Sequence, residues 1–438
     1  MNLIVDGVAK VSRANILLES MTVLAGENGT GKSTISRALM VISSLSMRMP
    51  ELIMEERISS ILRDAIGRVL SKFGAQLLVR WYRFATPPKS TSRLVQKEFW
   101  SSKDNLLTWL VAEDMKDGGE ISVYPKNFLE SREFDQIFEE ICTAAIDILD
   151  VDDSDYERYI LKKRAPIAFM DSMFHVDGTS NKARIGLYNS KFTVEFRFED
   201  GQIIEPIGFG AIPFPTIFYS EPENRLDHVG LRRQSPFYDR YSIGRSLTNQ
   251  IFSDPQESES KAEDEEYEKI MGLVNELSEC LHGRLKRDER GLFFSEIFTK
   301  GECLISLGNM ASGNKTMSTI MRLLENKTIK SNGLMIIDEP ESNLHPEHQL
   351  HFARFLVNLC LDCRIKLLVN THSPYFLRAL QKYSDALGIG KKVHYYTMVP
   401  DEEKLEPWVS SRTYHTDCMD NNLEEVYAAL ARPLEEVM

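Results

Sequence analysis

Gly26-Glu27-Asn28-Gly29-Thr30-Gly31-Lys32-Ser33, read as GENGTGKS, decides the reading of this chain. It fits the phosphate-binding pattern GxxxxGK[ST]. An apolar run, Met21-Thr-Val-Leu-Ala25, precedes it, and a helix-like segment, Thr34-Ile-Ser-Arg-Ala-Leu-Met40, follows. That strand–loop–helix setting separates a phosphate loop from a glycine-rich turn. Gly26, Gly29 and Gly31 permit a tight turn in which successive N–H groups and the helix N-terminus face a triphosphate. Glu27, Asn28, Thr30 and Thr34 complete the stretch expected to wrap it. Lys32 supplies a point charge for the β- and γ-phosphates, and Ser33 a hydroxyl for Mg²⁺. ATP and Mg²⁺ are the expected cofactors.

A second block, Leu334-Met-Ile-Ile-Asp-Glu339, is a short continuous apolar run ending in two carboxylates. Such a run suits a parallel strand buried on both faces. Asp338 at its carboxyl end is placed to hold Mg²⁺, directly or through water, as in phosphate-loop NTPases. Glu339 then stands where a water would be polarised for in-line attack on the γ-phosphate.

The chain has 438 residues, 42% of them hydrophobic, enough for a sizeable core and about two or three domain-sized units. No apolar run approaches the ~20 residues of a membrane span, and no membrane partner is expected. The first ten residues, MNLIVDGVAK, read as a strand rather than a signal peptide. Six scattered cysteines and 17 methionines fit a reducing cytoplasm. Cys360 and Cys363 form CLDC, but no second pair answers it as a zinc site requires. A net charge of −13 argues against indiscriminate nucleic-acid binding. Ser253 to Glu268, with eight carboxylates and one Lys, reads as a solvated linker entering a helix. Arg232, Arg233, Arg240 and Arg245, and further on Arg284, Lys286, Arg287 and Arg290, are two basic clusters that leave a nucleic-acid partner open.

Along the chain, residues 46–175 are mostly helical in pattern, with apolar positions three and four apart in Glu55–Leu70. Strands are expected at 183–188, 192–198 and 202–204, with Glu199-Asp-Gly201 as a hairpin turn. Prolines at 213, 215, 222 and 236 punctuate an irregular segment. A helix over 263–282 and strands at 292–298 and 303–307 follow. Helices over 316–326, 346–361 and 374–382 then alternate with strands over 334–337, 366–370 and 393–397.

Three further motifs complete the set. Asn309-Met-Ala-Ser-Gly-Asn-Lys-Thr316 precedes a helix; Asp338-Glu-Pro-Glu-Ser-Asn-Leu-His-Pro346 extends the second block; Asn370-Thr-His-Ser-Pro-Tyr375 ends the next strand. Their order and spacing resemble an ATP-binding-cassette (ABC) ATPase of the chromosome-maintenance, RecF and OLD group. The resemblance implies an α/β fold: a P-loop head with a mixed sheet, a large mostly helical insertion and a small β-hairpin group. The head would comprise 1–45 and 290–400, the insertion 46–289, and a C-terminal extension 401–438. Within the insertion, 46–175 would be helical, 176–250 β and irregular, and 253–283 acidic linker and helix.

The resemblance also implies site roles. Ser312 and Gly313 would reach the γ-phosphate held by the opposite subunit. His372 would contact the γ-phosphate in its own subunit, and Asn343 would lie in the loop crossing a dimer interface. The expected partner is thus a second copy in an ATP-sandwiched dimer, with room for a larger oligomer. The signature departs from SGG-Gln: Asn314 and Lys315 follow Ser312 and Gly313, and Lys315 is either a charge acting in trans or an ordinary first-turn helix lysine. Gln76, Gln96 and Gln136 all remain open for the family's Q-loop. His345, His348 and His351 read as a surface-helix face opened by Pro346, not a metal site.

About 280 residues separate Lys32 from Ser312, more than in transporter ATPases. The insertion has prolines, hairpins and no heptads, so a long coiled-coil arm is not expected. About 66 residues follow His372, too few for the nuclease domain of OLD proteins. The chain resembles stand-alone ATPases of anti-phage and abortive-infection systems, such as the ATPase subunits of Septu and PARIS, and the resemblance implies a separately encoded effector. A RecF-like ATPase of DNA maintenance is the alternative.

Overall fold

The computed structural model describes residues 1–72, 76–79, 91–114, 121–124, 134–168, 182–200, 202–204, 212, 214–220, 261–288, 291–299, 301–401, 413–420, Leu423, Glu424, Tyr427 and Leu430. The chain forms two compact units, one of residues 1–47, 164–235 and 241–438 and one of 48–163 and 236–240.

The first unit is built on an 11-stranded sheet. Its eighth strand from the β8 edge, β3 (Met21–Ala25), is the phosphate-loop strand and is buried at every position. It lies parallel between β14 (Lys366–Thr371) and β15 (Val393–Pro400). Beyond β14 come β13 (Leu334–Asp338) and then β9 (Ile217–Ser220), also parallel. β13 is buried at all five positions, as expected of an apolar strand covered on both faces. On the other side β16 (Tyr414–Cys418) turns antiparallel to β15 and joins β2 (Val11–Leu17). The sheet then continues antiparallel through β1 (Asn2–Val8), β6 (Lys182–Tyr188), β7 (Thr193–Glu199) and β8 (Gln202–Ile203). The fold is therefore α/β with a large mixed sheet.

Two placements differ from the sequence reading. The strands at 182–203 and 217–220, assigned there to an insertion, are members of the head's own sheet. The segment beyond residue 400 is equally integral: β16 closes the junction between the parallel and antiparallel halves, and Leu423 and Tyr427 enter the main core. Hairpin alternation announces one buried face but not which distant strand supplies the partner.

Helices cover this sheet with their apolar faces, and two of them are marked at their starts by a capping side chain. His345 and Ser373 are the N-caps of α8 (Pro346–Asp362) and α9 (Pro374–Ala386), each followed by proline at the first helical position. Phe352, Leu356, Phe376 and Leu380 are fully buried in the core these helices share with Met21 and Val23. The same core holds α6 (Lys261–Cys280) and α7 (Ser312–Glu325) through Val274, Met317 and Leu324. A second, three-stranded antiparallel sheet comprises β10 (Gly283–Asp288), β11 (Gly291–Phe298) and β12 (Gly301–Ser306). Lys286 of the second basic cluster is paired there with Glu302 at 2.8 Å. The Arg232–Arg245 cluster, Arg290 and the linker at 253–260 lie outside the described residues.

Helix α1 (Lys32–Ser60) begins at the phosphate loop, contains Pro50, and passes through a π-helical stretch, Ile61–Gly67, into α2 (Arg68–Lys72). Its residues to Met47 belong to the first unit and the rest to the second. The second unit also contains β4 (Gln76–Val79) paired with β5 (Ile121–Tyr124), and α3 (Lys103–Asp114), α4 (Phe134–Asp150) and the start of α5 (Asp153–Ala168). Ile61, Leu62, Trp100, Leu106, Ile137 and Ile141 form its core. Arg57 caps the end of α4, donating to the carbonyls of Ile148 at 3.2 Å and Leu149 at 2.7 Å. Among the described residues no helix is long and apolar enough to cross a membrane.

Candidate nucleotide site

The carboxyl ends of β3, β13 and β14 are neighbours in the sheet, and Asp338 is level with Asn370 as Thr371 is with Ala25. Ligands bind at this edge of open α/β sheets. The loop leaving β3 has positive φ at Gly26 (150°), Gly29 (77°) and Gly31 (100°). Gly31 faces Val11, whose methyl lies 3.0 Å from where a Cβ would stand, so the loop is also packed tightly from β2. Thr30 is buried, with its hydroxyl donating to the Glu27 carbonyl at 2.9 Å, whereas Glu27, Asn28 and Gly29 are exposed. Lys10, from the β1–β2 turn, donates to the Gly29 carbonyl at 3.0 Å.

Lys32 is 5% exposed and donates to two carbonyls of its own loop, Gly26 at 2.8 Å and Glu27 at 2.7 Å. Burial pushes its ammonium below the ordinary lysine range, against the opposing pull of Glu339, Asp338 and Glu341. A buried cation that donates to neutral carbonyls is suited to an anionic ligand. Ser33 is exposed and Thr34 half-buried at the start of α1. The Ser33 hydroxyl and the Asp338 carboxylate are the oxygen donors here that could hold magnesium.

Asp338 is 4% exposed and strongly tethered. Tyr219 of β9 donates to its Oδ2 at 3.2 Å, and Asn370 to its Oδ1 at 2.5 Å. The same Asn370 amide donates to Ser36 Oγ of α1 at 2.8 Å, so one side chain joins the phosphate-loop helix to the acidic strand. Glu339 follows in a left-handed conformation (φ 48°), with its N–H on the Asn370 carbonyl at 2.9 Å. That turn directs its carboxylate toward His372, whose Nδ1 lies 3.5 Å from Glu339 Oε1.

Sequence reasoning gave no role to Glu341, Asn370, Thr371, Ser36 or Tyr219. Glu341 is 4% exposed and accepts from Thr371 Oγ1 at 2.5 Å and from the His372 N–H at 3.2 Å; among the described residues its other oxygen has no hydrogen-bond partner. Burial pushes its carboxyl above the usual range. The repeated acid in Asp-Glu-Pro-Glu was its visible signal, and Asn370 opens the Asn-Thr-His-Ser-Pro stretch; Tyr219 had none.

The residues given a trans role form a separate group. Helix α7 begins at Ser312, four residues before the position expected from the sequence. Ser312 is exposed and Gly313 buried; a Cβ on Gly313 would lie 2.2 Å from the Asn343 carbonyl oxygen. Asn343 is exposed with φ 61°, in the turn after Glu341. Among the described residues no hydrogen bond joins Ser312 or Asn343 to loop 26–33. Lys315 is 4% exposed, so its side chain is engaged within its own chain rather than offered outward. Gln76, Gln96 and Gln136 all lie in the second unit.

Residues 21–378 match the family described as "AAA domain, putative AbiEii toxin, Type IV TA system". This chain belongs to that family. It is thus a member of a P-loop ATPase family, to which nucleotide binding is general. Among curated proteins none matches. Similar solved structures include an SMC head domain from Thermotoga maritima (10% identity, 95% of this chain and 97% of that one, TM-score 0.36). An SmcHead bound to the C-winged helix domain of ScpA matches at 10% identity over 97% and 98%, TM-score 0.40. An Smc head with an extended coiled coil, bound to the C-terminal domain of ScpA derived from Pyrococcus furiosus, matches at 11% over 100% and 98%, TM-score 0.33. Superpositions this weak add nothing to the family assignment.

Proposed function

We propose that this AAA-domain protein hydrolyses ATP as a switch in an abortive-infection or anti-phage module, with a separately encoded effector protein. The observation that carries the reading is the convergence of Lys32, Asp338, Glu339 and His372 on adjacent strand ends of one sheet. The family's description, which couples the domain to a toxin–antitoxin system, supports the biological half.

In this reading the N–H groups of loop 26–33 and Lys32 hold the triphosphate, and Lys32 exchanges its loop carbonyls for phosphate oxygens. Ser33 and Asp338 hold Mg²⁺, which neutralises charge on the phosphates when bound. Asn370 and Tyr219 keep Asp338 aimed. Glu339 orients the attacking water, and His372 faces the γ-phosphate. Ser312 and Asn343, remote from their own loop in hydrogen bonding, serve a second copy, so two chains complete two sites.

Lys32→Ala is expected to lose nucleotide affinity. Glu339→Gln is expected to bind ATP normally and lose roughly 10²-fold in turnover. Normal turnover in Glu339→Gln would remove that residue from its role. Co-purification of a neighbour-encoded protein supports the switch, whereas salt-sensitive binding to duplex DNA would favour a maintenance ATPase.

A further inference from the structure

A buried carboxyl with one oxygen unpartnered is costly to keep in a fold. Among the described residues Glu341 is such a group, and its surroundings bear on what it does. Its Oε1 gathers two donors from the end of β14, the Thr371 hydroxyl at 2.5 Å and the His372 N–H at 3.2 Å. The same oxygen lies 3.8 Å from His372 Nδ1. Its backbone carbonyl accepts the Leu344 N–H at 3.1 Å, closing the turn that presents Asn343. The Asn343 carbonyl in turn rests on Gly313 at the start of α7. One residue therefore stands between the loop facing the γ-phosphate and the surface carrying Asn343 and Ser312.

We propose that Glu341 is a positioning residue that ties the His372 loop to the Asn343 turn, acting through the hydrogen bonds it accepts rather than through its charge. Burial favours its neutral form, which glutamine imitates in shape and in its acceptor oxygen. The two neighbouring glutamates are thereby separable. Glutamine disables position 339, where a carboxylate is needed, and is tolerated at position 341.

The kinetic part of this inference rests on the proposed ATPase reaction; the structural part does not. Steady-state ATPase measurements on Glu341→Ala should show kcat about 10- to 100-fold lower with KM within about twofold, the signature of misplacement rather than lost binding. Glu341→Gln should restore kcat to within about threefold of the unaltered protein, while the shorter Glu341→Asp should not. Hydrogen exchange provides the independent arm: the His372 and Leu344 amides should exchange faster in Glu341→Ala and normally in Glu341→Gln. Should Glu341→Ala fail to fold, Thr371→Val removes one donor to the same oxygen, and its kcat should fall with KM unchanged. Unaltered kcat and exchange in Glu341→Ala, or in Thr371→Val where that variant is used, would overturn the inference. Equal damage in Glu341→Gln and Glu341→Ala would show that charge, not acceptance, is used. If the unaltered protein does not hydrolyse ATP, the functional reading fails, and the exchange comparison still decides Glu341.

Discussion

Gly313→Ala sets two effects of opposite sign against each other. Gly313 is the second residue of α7 and has no positive φ, so alanine meets no backbone strain. Helix propensity alone would then stabilise the variant by up to about 1 kcal/mol. The added Cβ, however, lies 2.2 Å from the Asn343 oxygen and 2.8 Å from its carbonyl carbon. These are backbone atoms with no rotamer to move aside. Reaching ordinary contact requires α7 or the 339–344 turn to shift by about 1 Å, and overpacking of that kind costs roughly 1–3 kcal/mol. The clash wins, leaving net destabilisation of about 1–2 kcal/mol. Urea unfolding should report a lower midpoint at unchanged slope, and turnover should fall because Asn343 is displaced. A variant that is more stable by the propensity increment, with full activity, would refute the packing of Gly313 on Asn343.

Asn370→Ala removes the amide bridging Asp338 and Ser36 and should cost about 2 kcal/mol in unfolding free energy, against a negligible change if the bridge is incidental. Because burial raises the folded-state pKa of Glu341, its proton stabilises the fold fully below the ordinary value of 4.5, and that contribution is lost as pH rises toward the folded pKa. Glu341→Gln should therefore gain stability relative to the unaltered protein as pH rises above about 4.5; parallel stability–pH curves would contradict this. A thiol reagent at neutral pH should label the exposed Cys303 and Cys418 first. Buried Cys363, its thiol pushed up to about 12, and Cys360, pushed higher still, should react only on unfolding; early labelling of either would contradict their burial.

The two motif-bearing parallel strands were legible because their sequences are locally complete. Met21–Ala25 and Leu334–Asp338 are short, mostly apolar runs bounded by glycine or acid, and both are fully buried parallel strands. The Pro346 and Pro374 helices were legible for a similar reason, since cap and proline mark each start. What escaped reading depends on sequence separation. Nothing in Lys182–Tyr188 shows that it pairs with residues 2–6, and nothing in Tyr414–Cys418 shows that it separates β15 from β2. The site divides in the same way. Lys32, Asp338, Glu339 and His372 sit in motifs whose residue types carry their chemistry. Asn370 and Glu341 matter through which neighbour each hydrogen bonds, and hydrogen-bond partners are not written in spacing.

The position of β3 has a consequence for synthesis. Both strands that flank it, β14 and β15, are made more than 340 residues later, as their registers against Met21–Ala25 show. At 5–20 residues per second, the phosphate-loop strand waits roughly 17–70 s on the ribosome before either partner exists. During that interval five consecutive core residues and the amides of the future nucleotide loop have no sheet to join. The antiparallel hairpin of β1 and β2 joins neighbours in sequence, whereas the edge that carries the candidate site depends on distant pairings. A nascent chain that ends before β14 therefore presents the phosphate-loop strand with neither of its sheet partners.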